Sequence, residues 1–367
     1  MQRTRLAASA AVALVALLAG CASPASLAPT PVAPSAADLV PLGELDVLAD
    51  PRAFVGPSTA VLAAASIEPV ALDEAPALPT TVTSHDLDGD IPVTVDSADR
   101  IIGLDIAGSI GATLFGLGAG DRVIGRDTST AFAEAAELPL VTSGGHSINS
   151  EAVIALRPDL VITDGTVGPI DVVLQLREAG IDVVFVDTEP SLEGIGELAR
   201  QVAAAIGASG AGEQLATRLG DEVAAKVSEI AGIAPAVTAD RLRMLFLYLR
   251  GSSGIYYLFG EESGADTLIE SLGGIDVAGE IGWSGMKPMT DEALVAADPD
   301  LILVMTDGLA SAGGVDGLLE SKPAIALTGA GQNKRFVDMA DGDILSFGPR
   351  TAGVLDALAR AIYAPAP

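Results

Sequence analysis

At 367 residues the chain has room for two or three domains, and with 49% of its residues apolar it can bury a large core. Its 49 acidic and 20 basic residues leave a formal net charge of −29, which argues against nucleic acid or an anionic membrane surface as partner and favours basic docking surfaces. A single cysteine excludes an intrachain disulfide, a thiolate metal cluster and a catalytic thiol in the body of the chain.

At the N-terminus, Arg3 and Arg5 precede LAASAAVALVALL (6–18), an apolar run too short to be a secure membrane span. It ends in Leu18-Ala19-Gly20-Cys21. This resembles a bacterial lipobox, and the resemblance implies a lipoprotein signal peptide over 1–20, cleavage before Cys21 and diacylation of its sulfur. The mature chain is then extracytoplasmic and held to the cell membrane by lipid. Residues 21–40, rich in Ala, Pro and Ser, read as a flexible tether. Residues 41–97 form a poorly defined extension, with short strands expected near 67–71 and 91–95 and His85 in a solvated loop.

From Ile101 the pattern changes. RIIGLD (100–105) reads as a strand, AGSIGATLFGLG (107–118) as a helix closed by glycine, and DRVIGRD (121–127) as a second strand. SEAVIALRPDLVITDG (150–165) gives a helix, a Pro-Asp turn and a strand, and DVVLQLREAGIDVVFVDTEP (171–190) repeats the pattern. Strands alternating with helices imply a mainly parallel α/β sheet. Residues 211–232 hold the longest helix, with Leu215, Leu219, Val223, Val227 and Ile230 at helical spacing. A second α/β series starts at RLRMLFLYLRG (241–251). EAVIALRPDLVI (151–162) matches EALVAADPDLIL (292–303) without a gap, which points to two related lobes. The predicted architecture is two Rossmann-like lobes, 98–209 and 233–367, joined by one long α-helix at 210–232, with a ligand cleft between them.

Two residue sets carry chemistry. His146 follows Gly144 and Gly145 in a loop between a strand and the helix of Glu151, where open α/β sheets place their ligands. By position alone it is either a metal ligand or a loop histidine bonded to backbone. Tyr248 and Arg250 are two apart in a predicted strand and share a face. They are either a core tyrosine with an exposed arginine or an iron ligand with its cation. A phenol titrates near about 10 and needs help to act as phenolate; ferric iron and a neighbouring guanidinium both supply it. A histidine and a tyrosine from opposite lobes suit the two axial positions of a ferric haem.

The G-G-H loop with its following Asn149-x-Glu151, and Tyr248-x-Arg250-Gly251 about a hundred residues later, resemble the actinobacterial HmuT-type haemin-binding lipoproteins. These belong to the periplasmic-binding class with a rigid helical backbone that serves siderophore, cobalamin and haem importers. The resemblance covers about 98–363. It implies His146 and Tyr248 as axial ligands of ferric haem b, with Arg250 as the tyrosinate's partner. It also implies delivery to an ABC permease and its ATPase, with Glu151 and Glu292 as docking carboxylates. Other expected partners are surface haem- or haemoglobin-binding proteins; the chain is expected to be a monomer and not an enzyme. Met305, Arg350, Trp283, Met286 and Tyr256 are candidates for the haem pocket. A ferric-siderophore or cobalamin carrier of the same class is the alternative. A secreted hydrolase lacks a nucleophile motif, since GWSGM is not spaced as G-x-S-x-G.

Overall fold

The computed structural model describes residues 35, 39–63, 66–71 and 75–366. The expected signal peptide, Cys21 and most of the expected tether lie outside them.

The chain enters through β1 (Ser58–Ala60) and the hairpin β2 (Thr80–Asp86) and β3 (Gly89–Val95). The N-terminal lobe follows as β4 (Ile101–Leu104), α1 (Ser109–Gly116), β5 (Val123–Gly125), β6 (Thr142–Ser143), β7 (Ser147–Ile148), α2 (Ser150–Leu156), β8 (Leu160–Thr163), α3 (Ile170–Glu178), β9 (Asp182–Phe185) and α4 (Leu192–Ala205). Its sheet is parallel, in the order β5-β4-β8-β9. Every residue of β4 and β8 is buried, as near-continuous apolar strands covered on both faces must be. The long helix is α5 (Ser209–Ala231).

The C-terminal lobe is β10 (Arg243–Arg250), β11 (Ile255–Phe259), α6 (Ala265–Ser271), β12 (Ile275–Asp276), α7 (Val277–Glu280), β13 (Met286–Pro288), α8 (Asp291–Ala297), β14 (Leu301–Met305), α9 (Thr306–Ser311), α10 (Gly314–Ser321), α11 (Gly329–Gln332), β15 (Phe336–Met339) and α12 (Thr351–Tyr363). Its sheet runs β1-β15-β14-β10-β11-β13, with β12 beside the start of β10.

Alternation along the strands divides the interior. Ile101, Leu160 and Ile162 of one sheet and Met244, Phe246, Leu301 and Leu303 of the other belong to one apolar cluster. α4, α5 and α12 complete it through Leu198, Val202, Leu215, Leu219, Leu355 and Leu358. The opposite faces hold separate cores, around Ile102, Val161 and Val183 in one lobe and Leu245, Leu247 and Ile302 in the other. A shared, close-packed core welds the lobes together, and such interiors resist continuous deformation.

The internal repeat extends to hydrogen bonds. α2 is capped by the Asn149 side chain and α8 by that of Thr290. Both helices end on a non-glycine residue in the left-handed region, Arg157 at φ 49° and Asp298 at φ 39°. The Arg100 guanidinium donates to the carbonyls of Leu156 and Arg157, and that of Arg243 to the carbonyl of Ala297. Asp159 accepts from the N–H of Arg100 at 3.1 Å, and Asp300 from that of Arg243 at 3.1 Å. Glu151 and Glu292 thus stand exposed in the first turns of equivalently braced helices.

The extension is more ordered than its composition suggests. Leu48 N–H donates to the Tyr363 carbonyl, and β1 pairs in parallel with β15 at the edge of the C-terminal sheet. Arg335, 1% exposed, donates to Ser58 Oγ and to the Ala361 and Ile362 carbonyls at the end of α12. It lies 4.6 Å from the Phe54 ring centroid, and burial pushes its pKa down to about 10. The chain then crosses to the other lobe, where Val70 N–H bonds the Gly116 carbonyl and Ala77 N–H the Gly207 carbonyl. The expected strand at 67–71 is therefore a crossing segment held by single bonds. The expected strand at 91–95 lies in β3, paired with the unexpected β2, which carries His85 beside Asp90. Arg177 secures the hairpin by pairing with Asp86.

Candidate functional site

Gly144 at φ +56° and Gly145 at φ +93° turn the chain between β6 and β7 and put His146 at the tip. A β-carbon at either glycine would meet nothing within 4 Å, so the turn borders open space. Their value is conformational, since side chains disfavour positive φ. His146 is half-buried, and its Nδ1 is shielded from solvent without a hydrogen-bond partner. A shielded, unpartnered imidazole nitrogen is costly unless something occupies its lone pair or accepts its proton. Thr128 braces the loop by donating from Oγ1 to the Gly145 carbonyl at 2.7 Å.

On the other lobe, Tyr248 projects from β10 toward the shared core, half-buried at its rim. Its ring stacks on Phe259 at 5.8 Å and meets Tyr257 edge-on at 6.5 Å. The Arg250 guanidinium lies over the Tyr248 ring, 4.7 Å from the centroid. Its donors go to Asp341 Oδ2 at 2.7 Å and to the Leu249 carbonyl at 2.9 Å rather than to the phenol oxygen. Asp341 also accepts from the Asp307 N–H at 2.9 Å. Burial pushes the Asp341 carboxyl up, opposed by that bond and by the charge of Arg250.

The two groups are linked along one seam between the lobes. Gly342, next to Asp341, packs on the main chain of Ser129, so that a β-carbon there would lie 3.0 Å from the Ser129 carbonyl oxygen. Ser129 follows Thr128, the brace of the histidine loop. A continuous set of contacts thus runs from His146 through Gly145, Thr128, Ser129, Gly342, Asp341 and Arg250 to Tyr248. It follows the carboxyl ends of parallel strands in both lobes, where open α/β sheets bind ligands. Behind it, Asp105 and Asp127 are buried and joined by the Asp105 N–H to Asp127 Oδ2 bond at 2.9 Å. Burial, then the charges of Asp127 and Asp164, hold the Asp105 carboxyl well above its ordinary range; burial also raises Asp127.

The other expected pocket residues divide. Met305 ends β14 half-buried on the Tyr248 side of the sheet. Tyr256 and Trp283 pack into the core on the opposite face and cannot line the same wall. Pairing across β10 and β11 sets this: Tyr248 lies opposite Tyr257 and Leu249 opposite Tyr256, so period two gives Tyr257 and Phe259, not Tyr256, to the Tyr248 face. Trp283 is tied by its indole N–H to the Leu258 carbonyl at 3.1 Å. Met286 sits on the edge strand β13, 62% exposed. Arg350 is not a free cation at a helix start: it pairs with Asp343 at 2.5 Å and lies 5.3 Å from the Phe132 centroid, reaching across the lobes. Asp341, Gly342, Thr128 and Phe259 escaped sequence reasoning. Only the position of Phe259, two beyond Tyr257, could have signalled its face.

The chain belongs to the periplasmic binding protein family, which it matches over residues 106–341. The family works outside the cytoplasm, and the relatives found are binding proteins. A crystal structure of the haem-binding protein HmuT superposes with a TM-score of 0.79 at 39% identity, over 86% of this chain and 99% of that one. Solved forms of that protein include alanine variants of one histidine, one tyrosine and an arginine two positions after the tyrosine. The ABC transporter substrate-binding lipoprotein YvrC of Bacillus subtilis is 28% identical over 257 residues, 68% of this chain and 76% of YvrC. A cobalamin-binding protein of Halobacterium salinarum is 29% identical over 215 residues, 58% of this chain; the match spans 55% of that relative's length.

Proposed function

We propose that the protein captures ferric haem between its lobes and delivers it to an ABC permease for iron acquisition, with His146 and Tyr248 as axial ligands and Cys21 carrying the lipid anchor. The observation that supports this reading is the seam itself, which links a histidine with a shielded, unpartnered nitrogen on one lobe to a Tyr-x-Arg strand on the other. The 39% identity to a haem-binding protein over nearly its whole length supports the cargo. The residues fit haem chemically: imidazole and phenolate are both haem-iron ligands, and the half-buried Tyr257 and Met305 offer surface on the Tyr248 face, with Phe259 buried behind the Tyr248 ring. Glu151 and Glu292 would meet basic sockets on the permease.

The test is a visible absorption titration with haemin of the unmodified protein and of Tyr248→Ala. A one-to-one Soret shift that the substitution abolishes is expected. No shift in the unmodified protein would end the haem reading. A corrinoid cargo is the second reading, favoured by the cobalamin-binding relative, and the same titration with cobalamin decides it.

A further inference from the structure

Arg250 is held unusually tightly for an arginine at a strand end. One nitrogen is fixed by its neighbour's carbonyl and another by Asp341, while the plane rests on the Tyr248 ring. Room for it comes from Gly308, where a β-carbon would lie 2.9 Å from Arg250 Nη1 and 2.7 Å from the Leu249 carbonyl oxygen. Asp341 is fixed in turn, one oxygen on Arg250 and the other on the Asp307 N–H at the start of α9. The Arg250 and Asp341 side chains are 29% and 23% exposed, so solvent screens their charges only in part. Tyr248 therefore faces a guanidinium whose charge is largely balanced.

We propose that Asp341 is a positioning residue for the iron ligand Tyr248: it locks Arg250 over the phenol ring and, by offsetting the guanidinium charge, leaves the phenolate a stronger donor than an unopposed arginine would allow. This rests on the haem reading above. Groups that touch a ligand from outside commonly set its basicity and orientation. Here two effects of one carboxylate have opposite electrical consequences, which separates them. Loss of Arg250 removes a cation and makes a bound phenolate more electron-rich. Loss of the Asp341 charge, with Arg250 still in place, makes it less so.

The experiment compares the haemin-loaded unmodified protein with Asp341→Asn, Asp341→Glu and Arg250→Ala. It reads the phenolate-to-iron charge-transfer band and the haem reduction potential. Asp341→Asn keeps an oxygen for Arg250 and should move the band to shorter wavelength and the potential upward. Arg250→Ala should move both the other way. Asp341→Glu, which keeps the charge, should stay near the unmodified protein. If Asp341→Asn moves with Arg250→Ala, the carboxylate is only a mount and its charge-balancing role is overturned; no movement overturns the proposal altogether. Failure of the unmodified protein to give the band would instead overturn tyrosinate ligation, and this proposal with it.

Discussion

Gly342 of the C-terminal lobe rests on the main chain of Ser129 of the N-terminal lobe, with room for hydrogen and little more. The residue before it anchors Arg250, and the residue before Ser129 anchors the histidine loop. This contact therefore lies on the path that links the two proposed iron ligands.

A Gly342→Val substitution should force the seam apart by a few tenths of an ångström or more. Overpacking of this kind costs about 1–3 kcal/mol. The expected result is haemin held by Tyr248 without His146, giving the same coordination change as His146→Ala. Matching absorption spectra for Gly342→Val and the unmodified protein would mean that the seam does not set the ligand spacing.

Charge reversal at the repeated helix starts should separate delivery from capture. Glu151→Arg or Glu292→Arg should weaken docking to the permease by about thirtyfold or more, since breaking a buried charged pair at an interface costs about 2–5 kcal/mol. Haemin affinity should not change. Stimulation of the transporter's ATPase by the loaded protein, measured beside a haemin titration, checks both halves. An altered haemin affinity would count against a pure docking role.

The crossing extension should contribute measurably to stability through Arg335. Among the described residues no carboxylate pairs with this cation; helix-end carbonyls receive it, and that end of a helix carries partial negative charge. Arg335→Leu leaves the Ile362 carbonyl without its donor, while Ser58 Oγ still donates to the Ala361 carbonyl. The expected loss is about 1–3 kcal/mol, the cost of one buried polar group left unsatisfied. Urea unfolding monitored by circular dichroism measures it, and a loss within error of zero would show that the strap is held by other contacts.

The buried Asp105 and Asp127 pair predicts a pH dependence with a definite sign. Both carboxyls are raised in the folded state, against about 3.9 when unfolded. Folding thus takes up protons, and the pair's contribution is complete below about pH 4 and lost as pH rises through the raised values. Asp127→Asn removes one such group and relieves the other. Its stability relative to the unmodified protein should improve steadily from pH 4.5 to pH 7.5 in urea titrations. A difference that stays flat over that range would mean that the two carboxyls do not titrate as a repelling pair.

Much of the architecture was legible because it follows from periodicity. The apolar runs at 101–104, 160–163 and 301–305 are strands covered on both faces, and the spacing of Leu215, Leu219, Val223 and Ile230 places α5. The echo of Glu151 and Glu292 holds down to the arginines that brace each helix. What escaped depends on contacts distant in sequence. β1 is three residues long and has no pattern of its own; only β15, some 280 positions later, makes it a strand. Arg335, in GQNKRF, reads as a surface cation until the end of α12 covers it. Tyr256 and Tyr257 are adjacent, and the hairpin register, set by the turn after Arg250, decides which shares a wall with Tyr248.

The pairing of β1 with β15 also bears on the order in which the molecule is finished. Ser58 bonds the Ala361 carbonyl, and Leu48 that of Tyr363. Among the described residues, the first strand thus has its binding place built by the last strand and the last helix. Closing so long a loop is slow and is compensated only at the end. Until the final turn of α12 exists, the C-terminal sheet lacks its border and the leading segment has nowhere to settle. A ribosome-bound or half-threaded chain is therefore held short of its native state by its own topology until α12 has arrived.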